Sequence, residues 1–577
     1  MKKFITALLG VFLANVFAET DSIPPNPGSF KIDSIQYEIG DAFDDAKYHT
    51  KYDKWAYDLL NVVHIKTRQS TIQKFLIFNQ GDTVNPIIIQ DAELLLRKQN
   101  ILSDASITIE NTDGKNTAHV KTSDNWTLAF PAGPGFGGDE WTYENFNWNF
   151  GILESNFLGL GQQLGLTYIH GYLRNTWDIY YSAPHFLFRH HRLEANYKIN
   201  TDGYMASWSL KVPFLSRSQN QWAYTLEGYK SKSELPLHSS GIFPEDVLPH
   251  ETLLPLDSLP KYNGPKSFPV AKIQGFANDS LSFRLSRSFG GTYRKLYVAA
   301  TYDYRYLSGD NATIAQTVFH DGKDTYVMDT TSIRENWIPE RLDSRLGLYL
   351  QLSNLYYIKE KNLHHLKWTE DVEKGYLLKA QVSKNYELLG SDNNDFRIDL
   401  WANLYLGSGT HHLTLNSASS FYLDHGEKRD FFGHVFGEYI FHPSTKFSTA
   451  LKGQVDFYEN AKRGFQLLLD EDFGFIGKSG FMAGQARVFG TVEQRYFPNI
   501  EIATFMPVIA VFGSVGETAW DIKDINRKDL IYTLGVGFRF GQTKSISRLI
   551  NNVDINIPLN GPTKGKPYYR LTVSRSL

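Results

Sequence analysis

Two groups of side chains late in the chain have the types and spacing for ion-pair chemistry. Lys462, Arg463, Gly464 and Phe465 read as a loop, and Glu493 and Arg495 lie on a strand pattern running from Gly484 to Tyr496. An arginine beside a glycine can reach a carboxylate on a neighbouring wall, because the glycine lets the backbone come close. Inside a closed barrel the low local dielectric strengthens such a charge-assisted bond, and the pair would pin the loop in the lumen. An Arg-Gly-aromatic triplet arises by chance in roughly one chain of this length in ten. The assignment therefore depends on a barrel being built around it.

Other residue types that do chemistry lack the required setting. His190-His191, His364-His365 and His411-His412 are adjacent pairs, and neighbours on a strand point to opposite faces, away from any shared metal. No Gly-x-Ser-x-Gly elbow presents a nucleophile. Gly133-Pro134-Gly135-Phe136-Gly137 and Gly159-Leu160-Gly161 imitate phosphate loops but have neither the βα context nor a Gly-Lys-Ser/Thr ending. The expectation is no catalytic residue, no cofactor and no metal, hence not an enzyme.

The elements that must position the charged groups follow from composition and period. A net charge of −3 gives no electrostatic case for nucleic acid. Aromatic residues make up 14% and charged residues 21%, which suits alternating strands with aromatic girdles better than apolar helices. The absence of cysteine rules out a disulfide framework and an N-terminal lipidated cysteine. Residues 1–18 read as a signal peptide, with Lys2 and Lys3, a short apolar run from Phe4 to Phe17, and Val16 and Ala18 at the cleavage positions. Residues 19–29 form a polar, Pro-rich linker.

Residues 30–125 predict a small α+β domain. Its expected strands are Ile32–Ile39, a short run over Val62–Ile65, Ser106–Glu110 and Thr117–Thr122. Helices are expected over Tyr52–Leu59, over Ser70–Phe78 and after Pro86. From residue 126 to residue 577 the period is two. Leu193, Ala195, Tyr197 and Ile199 alternate with Arg192, Glu194, Asn196 and Lys198; Phe396, Ile398, Leu400 and Ala402 alternate with Asp395, Arg397, Asp399 and Asn403. One face suits lipid and the other water, so the strands should close into a barrel. The alternative is a soluble β-sandwich that buries the apolar face. Pro-rich 234–279 reads as one long loop.

Several separated motifs resemble the BamA/TamA outer-membrane family. They are Asn61 through Arg68, Phe75-Leu76-Ile77-Phe78, Gly81-Asp82, Glu93 with Leu96-Arg97, and Asp104-Ala105. The Asp124-Asn125-Trp126-Thr127-Leu128 exit, Asn156 through Gln162, and Gly535 through Phe540 complete the set. Ser514 stands where that family usually has an acid, which leaves Glu493 as the expected partner of Arg463. The resemblance implies a transmembrane antiparallel β-barrel behind a periplasmic POTRA domain. It implies about sixteen strands, whereas counting runs suggests up to about twenty. It further implies a bacterial outer-membrane insertase, its partners being unfolded outer-membrane or secreted polypeptides, the lipid bilayer and accessory assembly subunits. In it Arg463, Gly464 and Phe465 would form the lumen loop, with Glu493 and Arg495 on the facing strand. A two-partner-secretion pore and a passive porin are the alternatives.

Overall fold

The computed structural model describes residues 28–42, 55, 58, 62, 64–138, 146–171, 174–217, 221–238, 269–320, 325–361, 363–364, 366, 369–407, 409–461, 466–469, 482–501, 505–542, 550–561 and 564–574. The N-terminal elements are β1 (Phe30–Lys31), β2 (Ser34–Gly40), α1 (Gln69–Phe75), β3 (Thr83–Val84), α2 (Pro86–Arg97), β4 (Leu102–Thr112) and β5 (Lys115–Asp124). Asn85 caps α2, its side chain accepting the Ile88 N–H at 2.9 Å, and Pro86 takes the first turn where no N–H is needed. Asp113 and Gly114 both have positive φ, 53° and 76°, the conformation a two-residue β4–β5 hairpin needs. β5 is the middle strand of a three-stranded sheet, parallel to β2 and antiparallel to β4. Ile72, Phe75, Leu76 and Leu96 from the helices meet Ile107 and Val120 from the sheet in one buried core.

The strand expected over Val62–Ile65 is not formed. Val62 is helical and Ile65 belongs to no strand. The backbone there bonds elsewhere: the Ile65 carbonyl accepts from the Asn156 side chain, and the Thr67 N–H donates to Asp124. The helix expected over Tyr52–Leu59 lies largely outside the described residues, as does the stretch before residue 28.

The barrel begins with β6 (Leu128–Ala129), β7 (Ala132–Gly138), β8 (Phe146–Phe157), β9 (Gln162–His170), β10 (Asn175–Ala183), β11 (Arg192–Asn200) and β12 (Gly203–Val212). Four longer strands follow: β13 (Trp222–His238), β14 (Pro269–Gly290), β15 (Arg294–His320) and β16 (Thr325–Lys361). Next come β17 (Thr369–Asn385), β18 (Phe396–Leu406), β19 (His411–Asp424), β20 (Glu427–Ser444) and β21 (Phe447–Glu459). A short hairpin of β22 (Leu467–Leu469) and β23 (Met482–Gly484) precedes β24 (Ala486–Tyr496), β25 (Phe505–Ala519), β26 (Ile531–Gln542), β27 (Ile550–Pro558) and β28 (Tyr568–Ser574).

Apart from β22 and β23, these strands form one closed antiparallel barrel. β6 and β7 pair with β8 in a single register, so they are one strand broken at Phe130-Pro131, and the wall has twenty strands. Its outer face carries Leu346, Leu348, Leu350 and Leu352 at 49, 51, 41 and 37% exposure, with Asp343, Arg345 and Tyr349 buried on the inner face. Each such outward leucine would forgo about 1.5–3 kcal/mol in water, so the band requires lipid. This excludes the sandwich and makes the chain a transmembrane β-barrel. The ladder of β15 with β16 runs from Arg294↔Asn354 to His320↔Thr325, far beyond the ~9–11 residues that span a bilayer.

The stretch 234–279 is partly strand rather than all loop. β13 continues to His238 and β14 starts at Pro269, while 239–268 lie outside the described residues. Register shifts between Ser233 and Leu235 and between Leu237 and His238 break the two-residue period, which hid the strands in the sequence.

Candidate functional site: the domain–barrel junction and the lumen

The N-terminal domain docks on one end of the barrel through alternate strand turns. The first, between β8 and β9, contains Asn156 through Gly161. Asn156 is fully buried; its Nδ2 donates to Thr67 Oγ1 (2.9 Å) and the Ile65 carbonyl (3.1 Å), and its Oδ1 accepts the Gly161 N–H (2.8 Å). The Gly159 carbonyl accepts from Thr71 Oγ1 at 2.8 Å and the Arg68 N–H at 3.1 Å. Gly159 sits at φ +73°, and a Cβ there would lie 2.7 Å from the Lys66 carbonyl oxygen. A motif that imitates a phosphate loop is thus a docking turn, with its polar groups committed to the domain.

The second turn, between β10 and β11, presents Arg189. Its guanidinium donates to the carbonyls of Gln73, Lys74 and Leu76 and to Asn79 Oδ1, capping the C-terminal end of α1, where carbonyls lack helical partners and the dipole is negative. Beside it the His185 ring lies 4.5 Å from that of Phe75, and its Nδ1 accepts the His190 N–H at 3.1 Å. Burial first, then His190, Lys74, Arg189 and Arg192, hold His185 down to about 3; burial and Arg189 hold His190 down to about 4.

Helix α2 makes the third contact. Asp91 accepts from Arg217 Nε (2.6 Å), the Arg217 N–H (2.7 Å) and Ser216 Oγ (3.0 Å) in the β12–β13 turn. Arg97 forms a bidentate pair with Asp371 of β17, at 3.0 and 2.8 Å, with both side chains under 10% exposed. Glu93 bonds Arg97 and Lys359 of β16, the latter at 2.9 Å. The same two residues hold the outer edge of β4, Glu93 accepting the Ile107 N–H at 3.1 Å and Arg97 donating to the Ala105 carbonyl at 3.4 Å. Burial pushes the Glu93 carboxyl up, but the bonds from Lys359, Ile107 and Arg97 outweigh it and leave it below the usual range. The exit from domain to barrel is equally fixed: Asp124, Asn125 and Thr127 are buried, with Asn125 tied to the Ile101 and Asn100 carbonyls. Burial raises Asp124 to about 6 against the opposing hydrogen bonds from Thr67.

In the lumen, Glu493 and Arg495 lie on β24 and face inward. Arg495 Nε bonds Glu493 Oε1 at 2.6 Å, and Arg539 of β26 takes the other oxygen at 2.8 Å. Arg539 also bonds Asp554 of β27 at 2.5 Å. Glu493 is thus already held by two wall arginines. Arg463, Gly464 and Phe465 lie outside the described residues. The flanking parts of that loop are held by a residue not anticipated from sequence: Arg487 Nη1 donates to the Leu468 carbonyl at 2.6 Å while its Nε bonds Asp456 at 2.5 Å. Leu469 packs against Phe489 and Ile531, and Gln466 donates to the Pro236 carbonyl on β13, so the loop reaches from β21 across to another part of the wall. Arg487 shares inward parity with Glu493 on one strand, a signal the sequence did contain. Ser514 bonds Thr491 across the wall.

The barrel closes where β7 meets β28. Among the described residues only three pairs form this seam, Gly138↔Tyr569, Gly137↔Arg570 and Phe136↔Leu571. β7 contains four glycines and Pro134, which lacks an N–H, so it is poor at holding a ladder.

No protein-family model and no curated protein matches the chain. Among solved structures, CdiB from Escherichia coli is similar at 10% identity over 96% of this chain and 92% of that one, with TM-score 0.43. CdiB from Acinetobacter baumannii is similar at 13% identity, covering 94% and 73%, with TM-score 0.42. BamA from Haemophilus ducreyi lacking POTRA domains 1–3 is similar at 12% identity, covering 94% and 84%, with TM-score 0.33. The likeness is weak in each case.

Proposed function

We propose that this chain is a bacterial outer-membrane assembly or translocation factor. Its N-terminal domain is read as a POTRA domain in the periplasm that receives unfolded polypeptide, and the barrel inserts or moves that polypeptide at its seam. The observation that carries the reading is the combination of a strand-edged α+β domain fixed to the rim with a barrel closed by a short, glycine-rich pairing. A sheet edge adds an extended partner strand by backbone hydrogen bonds with little regard to sequence, and a weak seam can exchange its pairing for that of a client strand. No bond is made or broken, so the protein acts without catalysis, and accessory subunits would join at the periplasmic face. Insertion is favoured over a passive porin because the described part of the β21–β24 loop packs on the inner wall at Phe489 and Ile531 and bonds Pro236 of β13.

The test is photo-crosslinking from Thr108 on β4 and Gln36 on β2, both exposed on the domain sheet. Crosslinks to an unfolded barrel precursor, lost when the precursor is folded beforehand, are expected. Equal labelling of folded and unfolded precursor would overturn capture. Export through the lumen, the second reading, would instead place crosslinks on inward positions such as Tyr349 during passage.

A further inference from the structure

Inward positions of this barrel are mostly polar, but several lumen-facing patches are apolar, and one of them lies at the domain-facing end. Phe497, Met506, Val508 and Ile550 are 0–2% exposed and form a single buried cluster. Alternation places Met506, Val508 and Ile550 on the inner wall, where water would otherwise meet them. The residue that covers them is Leu366, from the connection between β16 and β17. Leu363 of the same connection is buried against Ile440 and Ala450. Counting strands from β6/β7 as the first, this connection joins the tenth and eleventh, whereas Val508 is on the seventeenth and Ile550 on the nineteenth. The leucines therefore reach distant wall, Leu363 also keeping Val372 of its own hairpin in its cluster. Glu370 fixes the segment's backbone by accepting the N–H groups of Leu363 and His364 at 2.9–3.1 Å.

The two strands that carry this segment are the two that α2 grips. Lys359 lies just before it and bonds Glu93; Asp371 lies just after it and forms the buried bidentate pair with Arg97. We infer that Leu363, His364 and Leu366 form a plug at the domain-facing end of the lumen, and that helix α2 holds it closed through Lys359 and Asp371. Lys359 and Asp371 are ladder partners and Lys361↔Thr369 closes the hairpin beyond them, so a movement of the domain that takes Arg97 away from Asp371 releases the hairpin end that carries the plug as one unit. The domain's β4 edge is held by the same Glu93 and Arg97, so edge and plug share one latch. The plug itself requires only the barrel and the docked domain, and stands or falls separately from polypeptide capture.

The chain has no cysteine, so single thiols report cleanly. Val508→Cys in the full chain, reconstituted in liposomes, is labelled with a membrane-impermeant maleimide from the domain side. Slow labelling is expected in the otherwise native chain, rising about tenfold with Asp371→Asn, as a minor open state becomes populated. The exchange Arg97→Asp with Asp371→Arg should return labelling toward the native rate. A Leu366→Cys/Val508→Cys pair should form a disulfide that abolishes the increase caused by Asp371→Asn. Heat-modifiable migration checks that each variant is a folded barrel. Labelling that is fast in the native background, or unchanged by Asp371→Asn in a folded barrel, would overturn the plug. Failure of capture would appear only in the crosslinking from β4 and β2, with this labelling series intact.

Discussion

At the scale of single residues, the junction depends on buried charges whose bonds cross from domain to barrel. Arg97 and Asp371 are both under 10% exposed and joined by two bonds. Removing one partner leaves the other desolvated and alone, so Arg97→Ala should cost about 3–5 kcal/mol of docking, read as faster proteolysis of the domain with the barrel intact. The junction also carries opposing proton linkages. His185 and His190 of the β10–β11 turn are held at about 3 and about 4, so the undocked state, in which these barrel-turn histidines return toward the ordinary 6.5, binds more protons. Docking is therefore lost as pH falls below about 6.5. Glu93, depressed by its bonds, acts in the same direction further down: its contribution is lost as pH falls through its lowered value. Asp124, raised to about 6, acts oppositely, since the docked state binds its proton first and gains as pH falls through 6. Between pH 7.5 and 5 the two histidines act against the one aspartate, Glu93 entering only at lower pH, and the net expectation is weaker docking in acid. Hydrogen exchange of α1 between pH 7.5 and 5 measures it, and His185→Phe should flatten the profile. A profile that strengthens toward pH 5 in the native chain would contradict the assignment.

At the scale of elements, turns do the work that periodicity cannot describe. The β8–β9 turn needs glycine at 159, because the backbone is left-handed there and a side chain would meet the Lys66 carbonyl. Gly159→Val should cost at least ~1–2 kcal/mol from the backbone alone, with the clash in addition, and should lower the domain's own unfolding transition. The β21–β24 loop depends on Arg487, which satisfies both the Leu468 carbonyl and the buried Asp456. Arg487→Ala should lower barrel Tm by removing the bonds to the Leu468 carbonyl and to Asp456, which keeps His434 and Gln454 as partners; a hydrogen bond to a charged group is worth about 1.5–3 kcal/mol, and Arg487→Lys should recover part of it. Equal melting of native and Arg487→Ala barrels would show that the loop is held by other contacts. This element was only half legible in sequence. Its inward course was expected, but its described anchor is Arg487 on the following strand, three two-residue repeats before Glu493.

At the scale of the whole molecule, one face of every wall strand requires oil. Leu348→Arg places a cation in the outward band and should cost ~2–4 kcal/mol if it lies at the bilayer midplane, lowering the urea midpoint in detergent or liposomes. The alternation that defines this band was readable because period two depends only on local geometry: adjacent side chains must point to opposite faces. For the same reason α2 could be placed from Asn85, Pro86 and its apolar spacing, and the β4–β5 turn from Asp113-Gly114. The strand expected at Val62–Ile65 failed where Val62 is helical and the Ile65 carbonyl accepts from Asn156 on the barrel, 91 residues away. Likewise 234–238 and 269–279 escaped notice because bulges interrupt the period. The chain's order alone determined that it is mixed α and β in its first part and two-faced β thereafter. Closure at twenty strands, the partners of Glu493, and the grip of α2 on Lys359 and Asp371 were decided only in three dimensions. They join residues separated by tens to hundreds of positions, and no local rule of spacing carries information about which distant wall a side chain will meet.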